Sequence, residues 1–131
     1  AGRTRMGSDA LRDQQIFQRG LGTHTMALKA ARLLAHDAYG SSVEAIRRGE
    51  AKEARKARIR ETRAAASHVV EAAKAAVSFA YEASGSHGLR NPSRLQRCFR
   101  DLDVGASHLV FDERNYVEAV KARLGLEPLP F

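Results

Sequence analysis

The sequence predicts an all-α protein, an antiparallel helical bundle of two long and two shorter helices. Three observations lead there. All three prolines (Pro92, Pro128 and Pro130) fall in the last third, which leaves the first 91 residues free of proline. Those residues are rich in Ala, Leu, Arg and Glu, which favour long helices. Apolar positions recur three and four residues apart, whereas Val and Ile are too few and scattered to build a sheet.

Residues 1–8 are predicted to be a flexible lead-in, with the bundle over 9–131. Ser8 and Asp9 can cap the first helix. That helix is expected from about Asp9 to Arg48, with Leu21, Leu28 and Ala35 recurring every seven residues and Thr25, Ala31 and Ala38 between them. Gly20, Gly22 and Gly40 weaken it locally and mark a kink or a close contact, and Gly49 stops it. The second helix is expected from about Ala51 to Ser84. Its stripe of Thr62, Ala65, Val69, Ala72, Ala76, Phe79 and Ala83 is rich in alanine, so a neighbour can approach closely. The segment GSHGLRNP, residues 85–92, reads as a loop. Ser93 can cap a third helix running to about Leu109, and Asp112 a fourth from Glu113 to Leu124. Gly125 and Leu126 fit a Schellman ending there.

The net charge of +7 is concentrated between Arg47 and Arg63, where eight basic residues are interspersed with Glu50, Glu53 and Glu61. That spacing is the pattern of a solvated helix face with i,i+4 pairs, which speaks against nucleic-acid binding as the use of the charge. No apolar run approaches the roughly 18 residues of a membrane span, and no secretory signal is visible, so a cytoplasmic location is expected. A single cysteine, Cys98, excludes an internal disulfide and a cysteine-based zinc site. The five histidines form no HExxH, and His68 with Glu71 reverses the order of a di-iron Glu-x-x-His, so no metal is expected. Walker A, Rossmann and GxSxG patterns are absent.

Residues 85–108, GSHGLRNPSRLQRCFRDLDVGASH, combine a glycine loop, Pro92, Leu95–Gln96–Arg97 and the pair Arg100–Asp101. This combination resembles the C-terminal bundle of the acyl-CoA dehydrogenase superfamily, and the likeness covers about residues 15–125. It implies a larger flavoprotein in which flavin lies between a middle β-domain and the bundle. N-terminal and middle domains would lie outside this chain, and the first bundle helix has no clear counterpart. The resemblance also implies that the bundle's apolar face joins a homo-oligomer, a dimer or tetramer.

Many acyl-CoA dehydrogenases place a catalytic glutamate nine residues after the arginine of the Arg-Asp pair. Here that position is Leu109, which cannot accept a proton. The chain is more similar to the flavin-dependent monooxygenase branch, whose members tend to read Leu-Gln-Arg-x-x-Arg-Asp followed by Ala-Ser-x-His. Leu95, Gln96, Arg97, Arg100, Asp101, Ala106, Ser107 and His108 match that pattern. The resemblance thus implies a two-component monooxygenase that hydroxylates an aromatic or polycyclic substrate with O₂ and reduced flavin, FMN or FAD, delivered by a flavin reductase. His108 would be catalytic, holding substrate and shifting protons. Ser84, Gly85, Ser86 and His87 would contact the flavin, and Arg100–Asp101 would be an ion pair fixing the last helices. The alternatives are the C-terminal domain of an acyl-CoA dehydrogenase and a catalytically inactive helical oligomerisation module. The isolated chain is expected to bind little flavin and to be inactive alone.

Overall fold

In the computed structural model, which describes residues 10–88 and 93–128, the chain is all-α with no strand among the described residues. Helix α1 (Gln15–Arg47) and helix α2 (Lys52–Ser84) are each 33 residues long, or about 50 Å at 1.5 Å per residue. Helices α3 (Arg94–Ala106) and α4 (Arg114–Leu124) are shorter. Single 3₁₀ turns occupy Leu11–Asp13, Gly85–His87 and Leu109–Phe111. The expected capping of the first helix by Ser8 and Asp9 lies outside the described residues.

α1 and α2 form an antiparallel hairpin whose tight connection is set by Gly49. Gly49 takes φ +68°, which a side chain disfavours, while Glu50 N–H returns to the Ala45 carbonyl at 3.0 Å. The buried apolar side chains of the described chain are alanines: Ala31, Ala38 and Ala45 on α1, and Ala65, Ala66 and Ala72 on α2. Small residues let the two backbones approach. Of the stripe predicted for α1, Ala31 and Ala38 are buried in the seam, whereas Leu21, Leu28 and Ala35 sit at its edge and both leucines stay exposed. Branched leucine side chains are too large for a gap that alanine fills, so the close contact runs along Ala31–Ala38–Ala45. Near the connection, Ser42 and Thr62 hydroxyls bond across the seam at 2.7 Å. At the far end Phe79 stacks on Phe17, with ring centroids 5.7 Å apart, and lies over Gly20, where a Cβ would strike its ring. Gly20 therefore marks a close contact. At Gly22 and Gly40, by contrast, an added Cβ would meet nothing within 4 Å.

α3 and α4 pack on the other flank of α2, and every substantial contact between helices involves α2. Tyr81 stacks on Phe99 with centroids 4.6 Å apart, and the Lys74 ammonium pairs with Asp103 at 2.9 Å. Arg60 pairs with Glu118, and Arg123 with Glu61, to hold α4. Ser93 caps α3 by accepting from Gln96 N–H at 3.3 Å. Gly125, at φ +66°, closes α4, with Leu126 N–H bonded to the Lys121 carbonyl at 2.9 Å. α3 ends at Ala106, ahead of the predicted Leu109. The Ser107 hydroxyl turns back to the Asp103 carbonyl at 3.1 Å, and His108 becomes extended at φ −70°, ψ 136°.

Candidate functional site

His108 therefore stands in the break between α3 and the Leu109–Phe111 turn, exposed to solvent. Its Nδ1 accepts the Val110 backbone N–H at 3.2 Å, and its ring meets Phe111 edge-on. A nitrogen that accepts carries no proton, so the neutral imidazole holds its proton on Nε2, as a donor.

A small polar network ties this turn to α2. Ser67, 1% exposed, is the buried polar residue of the described chain. Its hydroxyl donates to the Asp112 carbonyl at 3.3 Å and accepts from Asn115 Nδ2 at 2.9 Å. The same Asn115 nitrogen donates to the Val110 carbonyl at 2.8 Å. One peptide unit on, the Asp112 carboxylate caps α4 by accepting from Arg114 N–H at 2.8 Å. Hydrogen bonds from the Arg114 side chain and backbone hold the Asp112 carboxyl below its ordinary range. Both Asn115 amide protons and the Ser67 hydroxyl are thus committed to the segment that carries His108. The sequence reading singled out neither residue. The available signal was Ser67 itself, a hydroxyl directly after the alanine run Ala64–Ala66.

Tyr116, on the same side of α2, carries a buried hydroxyl without a hydrogen-bond partner among the described residues. Burial pushes its pKa up to about 12, and the carboxylates of Glu71 and Glu113 push the same way. Glu71 acts from beyond hydrogen-bond geometry, since the hydroxyl itself is unpaired.

The other predicted contacts cluster at the opposite end of α2. Ser84 donates to the Tyr81 carbonyl at 2.6 Å, so its proton is spent on its own helix. Gly85 takes φ +57° to end α2, and Ser86 is exposed. The backbone of His87 closes the 3₁₀ turn, while its side chain lies outside the described residues. Gly88 is buried against the Tyr81 ring and the Ser84 hydroxyl, and a Cβ there would strike both. His108 lies between the levels of Lys74 and Ser67 on α2, so roughly 15–25 Å of helix separates it from Ser84. The structure does not bring the two sets together within one chain.

That separation bears on flavin. The residues predicted to contact flavin and the residue predicted to contact substrate stand at different levels of α2, and the Ser84 hydroxyl proton is already given to its own helix. The groove nearest Ser84, of about 320 Å³, is lined mainly by Leu11, Phe17, Leu21, Phe79 and alanines.

Arg100 and Asp101 are both exposed and make no ion pair among the described residues, contrary to the expected structural pair. Lys74–Asp103 fixes α3 instead, because Asp103, two residues on, faces α2. In the basic run, Arg58 pairs with Glu50 at 3.1 Å and Lys56 with Glu53 at 2.9 Å, in keeping with a paired, solvated face. His24 packs on Phe79, and Cys98 is exposed. Among the described residues no group of three His, Cys, Asp or Glu side chains stands close enough to hold a metal, and no helix is long and apolar enough to cross a membrane.

The family model described as acyl-CoA dehydrogenase, C-terminal domain, matches residues 1–113. No curated protein and no solved structure matches the chain.

Proposed function

Because the chain belongs to the acyl-CoA dehydrogenase C-terminal-domain family, a family of flavin-dependent oxidoreductases, we propose that it is the C-terminal bundle of a two-component monooxygenase. Such an enzyme hydroxylates an aromatic or polycyclic substrate with O₂. Reduced flavin, FMN or FAD delivered by a partner reductase, would supply the electrons. The observation that carries this reading is the state of His108. It projects from a helix break, its Nδ1 is occupied by Val110 N–H, and its Nε2–H is left as an outward donor. A donor of that kind can bind a phenolic oxygen and pass a proton to it. Leu109 beside it is an exposed hydrocarbon where a dehydrogenase of this family commonly places its glutamate base.

The chain supplies one wall of such a site. The wide spacing of Ser84 and His108 along α2 suits a site completed by other domains or by another subunit. We therefore assign to this chain the orientation of substrate by His108.

The test uses the full-length protein with chemically reduced flavin, O₂ and a panel of phenols and polycyclic aromatics. Hydroxylated product is expected. His108→Ala should lower its rate by about 10²-fold or more, the usual weight of a positioned general acid–base group. Flavin reduction by an acyl-CoA without oxygenation, abolished by Glu113→Gln, would establish a dehydrogenase instead.

A further inference from the structure

The basic run between Arg47 and Arg63 divides into two sets according to what each base meets. Four of its eight bases have a carboxylate within the chain: Arg48 pairs with Glu44, Lys56 with Glu53, Arg58 with Glu50 and Arg60 with Glu118. Glu61 is taken by Arg123 of α4. All three glutamates of the run are thereby spent. The Glu53 carboxyl is held below its ordinary range by Lys56 first and by Lys52 only more weakly. Arg47, Lys52, Arg55 and Arg63 make no ion pair among the described residues. Arg47 ends α1, and the other three lie on α2.

Those three share one face. At about 100° per residue, Lys52, Arg55, Ile59 and Arg63 fall within an arc of about 80° and span about 16 Å of helix. Arg60 turns to one side of that arc, toward Glu118 of α4. Thr62 turns to the other, with its hydroxyl 3.2 Å from the Ala38 carbonyl of α1. The arc lies between them, so neither neighbouring helix covers it. Lys52 and Arg63 are exposed, Arg55 is half-buried, and Ile59 is 50% exposed. The result is a straight ridge of cation, cation, isoleucine and cation, at successive spacings of three, four and four residues.

We propose that this ridge docks an acidic amphipathic helix of a different protein, with carboxylates meeting Lys52, Arg55 and Arg63 and an apolar side chain meeting Ile59. Charge complementarity sets the sign of the partner. The chain carries +7, its glutamates in this run are already spent, and a second copy would bring the same excess. Spacing sets the partner's form, because rows three and four residues apart are what a second helix presents when packed alongside. Exposed charge pairs give register and speed of encounter more than affinity, and Ile59 supplies the apolar contact they lack. Ile59 also separates this partner from a nucleic acid. A row of phosphates offers an isoleucine no apolar surface, and strong salt-dependent binding draws on roughly six to ten phosphate contacts, more than three cations supply.

The probe is a fluorescein-labelled helical peptide with glutamates at i, i+8 and i+11 and leucine at i+4, in an alanine–glutamine background. Its anisotropy is titrated with the 131-residue chain at low and at physiological salt. Saturable binding that weakens with salt is expected. Lys52→Gln combined with Arg63→Gln should raise the dissociation constant about tenfold, and Ile59→Ser about threefold, with helical circular dichroism retained. Arg94→Gln combined with Arg97→Gln removes the same charge from exposed positions on α3 and should change it by less than about twofold. A peptide of the same composition with its glutamates scattered round the helix should bind about fivefold more weakly. No binding at low salt, equal binding of the scattered peptide, or equal responses to the α2 and α3 charge variants would each overturn the proposal. So would displacement of the peptide by a DNA oligonucleotide that binds more tightly and is indifferent to Ile59→Ser, which would assign the ridge to phosphates. These readouts need neither flavin nor substrate, so they stand or fall apart from the assignment of His108.

Discussion

The Ser67–Asn115 pair offers a sharp check on how the His108 segment is held. Asn115 Nδ2 donates to the Ser67 hydroxyl at 2.9 Å and to the Val110 carbonyl at 2.8 Å. A net intramolecular hydrogen bond is worth about 0.5–1.5 kcal/mol, and a buried partner left unsatisfied costs about 1–3 kcal/mol. Asn115→Ala removes both bonds and strands the acceptor side of Ser67, whereas the exposed end at Val110 is re-solvated. Its cost is then about 2 kcal/mol. Ser67→Ala removes the buried hydroxyl and its long bond to Asp112, for about 1 kcal/mol. The two residues share one bond, so the double variant should cost less than the sum, with a coupling of about 1 kcal/mol. Thermal unfolding followed by circular dichroism reads each corner of the cycle, at one fixed protein concentration. At this chain length 1 kcal/mol corresponds to about 4 °C, so Asn115→Ala should lower the midpoint by about 8 °C. Nitrogen-15 shifts of His108 should report loss of the Nδ1-acceptor state in the same variant. A coupling below about 0.3 kcal/mol, or an unchanged His108 spectrum, would show that Asn115 does not hold the turn.

Two further outcomes follow from single contacts. Gly20→Ala gains helix propensity of about 1 kcal/mol but drives its Cβ into the Phe79 ring, which is trapped between Phe17 and His24. Overpacking of about 1–3 kcal/mol should win, and equilibrium urea unfolding should show a lower midpoint; a higher one would mean that Phe79 moves freely. Tyr116→Phe removes a buried, unpaired hydroxyl and should be neutral or stabilising by about 1 kcal/mol. In the native protein the raised Tyr116 pKa means that the folded state keeps its proton while the unfolded state loses it. Stability linked to Tyr116 is therefore full below pH 10 and falls as pH rises toward about 12. Phenolate absorbance that rises for Tyr116 at the ordinary value of 10.0 would contradict this.

Much of the architecture was legible because helices announce themselves locally. The absence of proline before Pro92, the stops at Gly49 and Gly125 and the cap at Ser93 each act within a turn or two, and the ends they mark fall close to the expected ones, whereas α1 begins at Gln15 rather than Asp9, after a separate 3₁₀ turn. The alanine stripe on α2 was legible for the same reason. Packing was less so. Periodicity marks which residues share a face, but Leu21 and Leu28 share nearly the same face as Ala31 and Ala38, and only interhelical distance decides between them. Likewise the end of α3 depends on Ser107 folding back and on Asn115, eight residues later, taking the Val110 carbonyl. The distance between Ser84 and His108 was invisible in the sequence, where α3 joins them as if they were neighbours.

That α2 mediates every substantial helix contact makes the molecule a star rather than a ring. α1 is one ray, and the α3–α4 limb is another. In a ring, a disturbance reaches any member by two routes; in a star it has to cross the centre. Within one chain, a change on the outer surface of α1 reaches His108 by way of the long helix between them, whose alanine seam on one side and Ser67 on the other are almost back to back. Ala66 and Ser67, adjacent in sequence and both buried, are therefore the narrowest point through which the two ends of the molecule can exchange information.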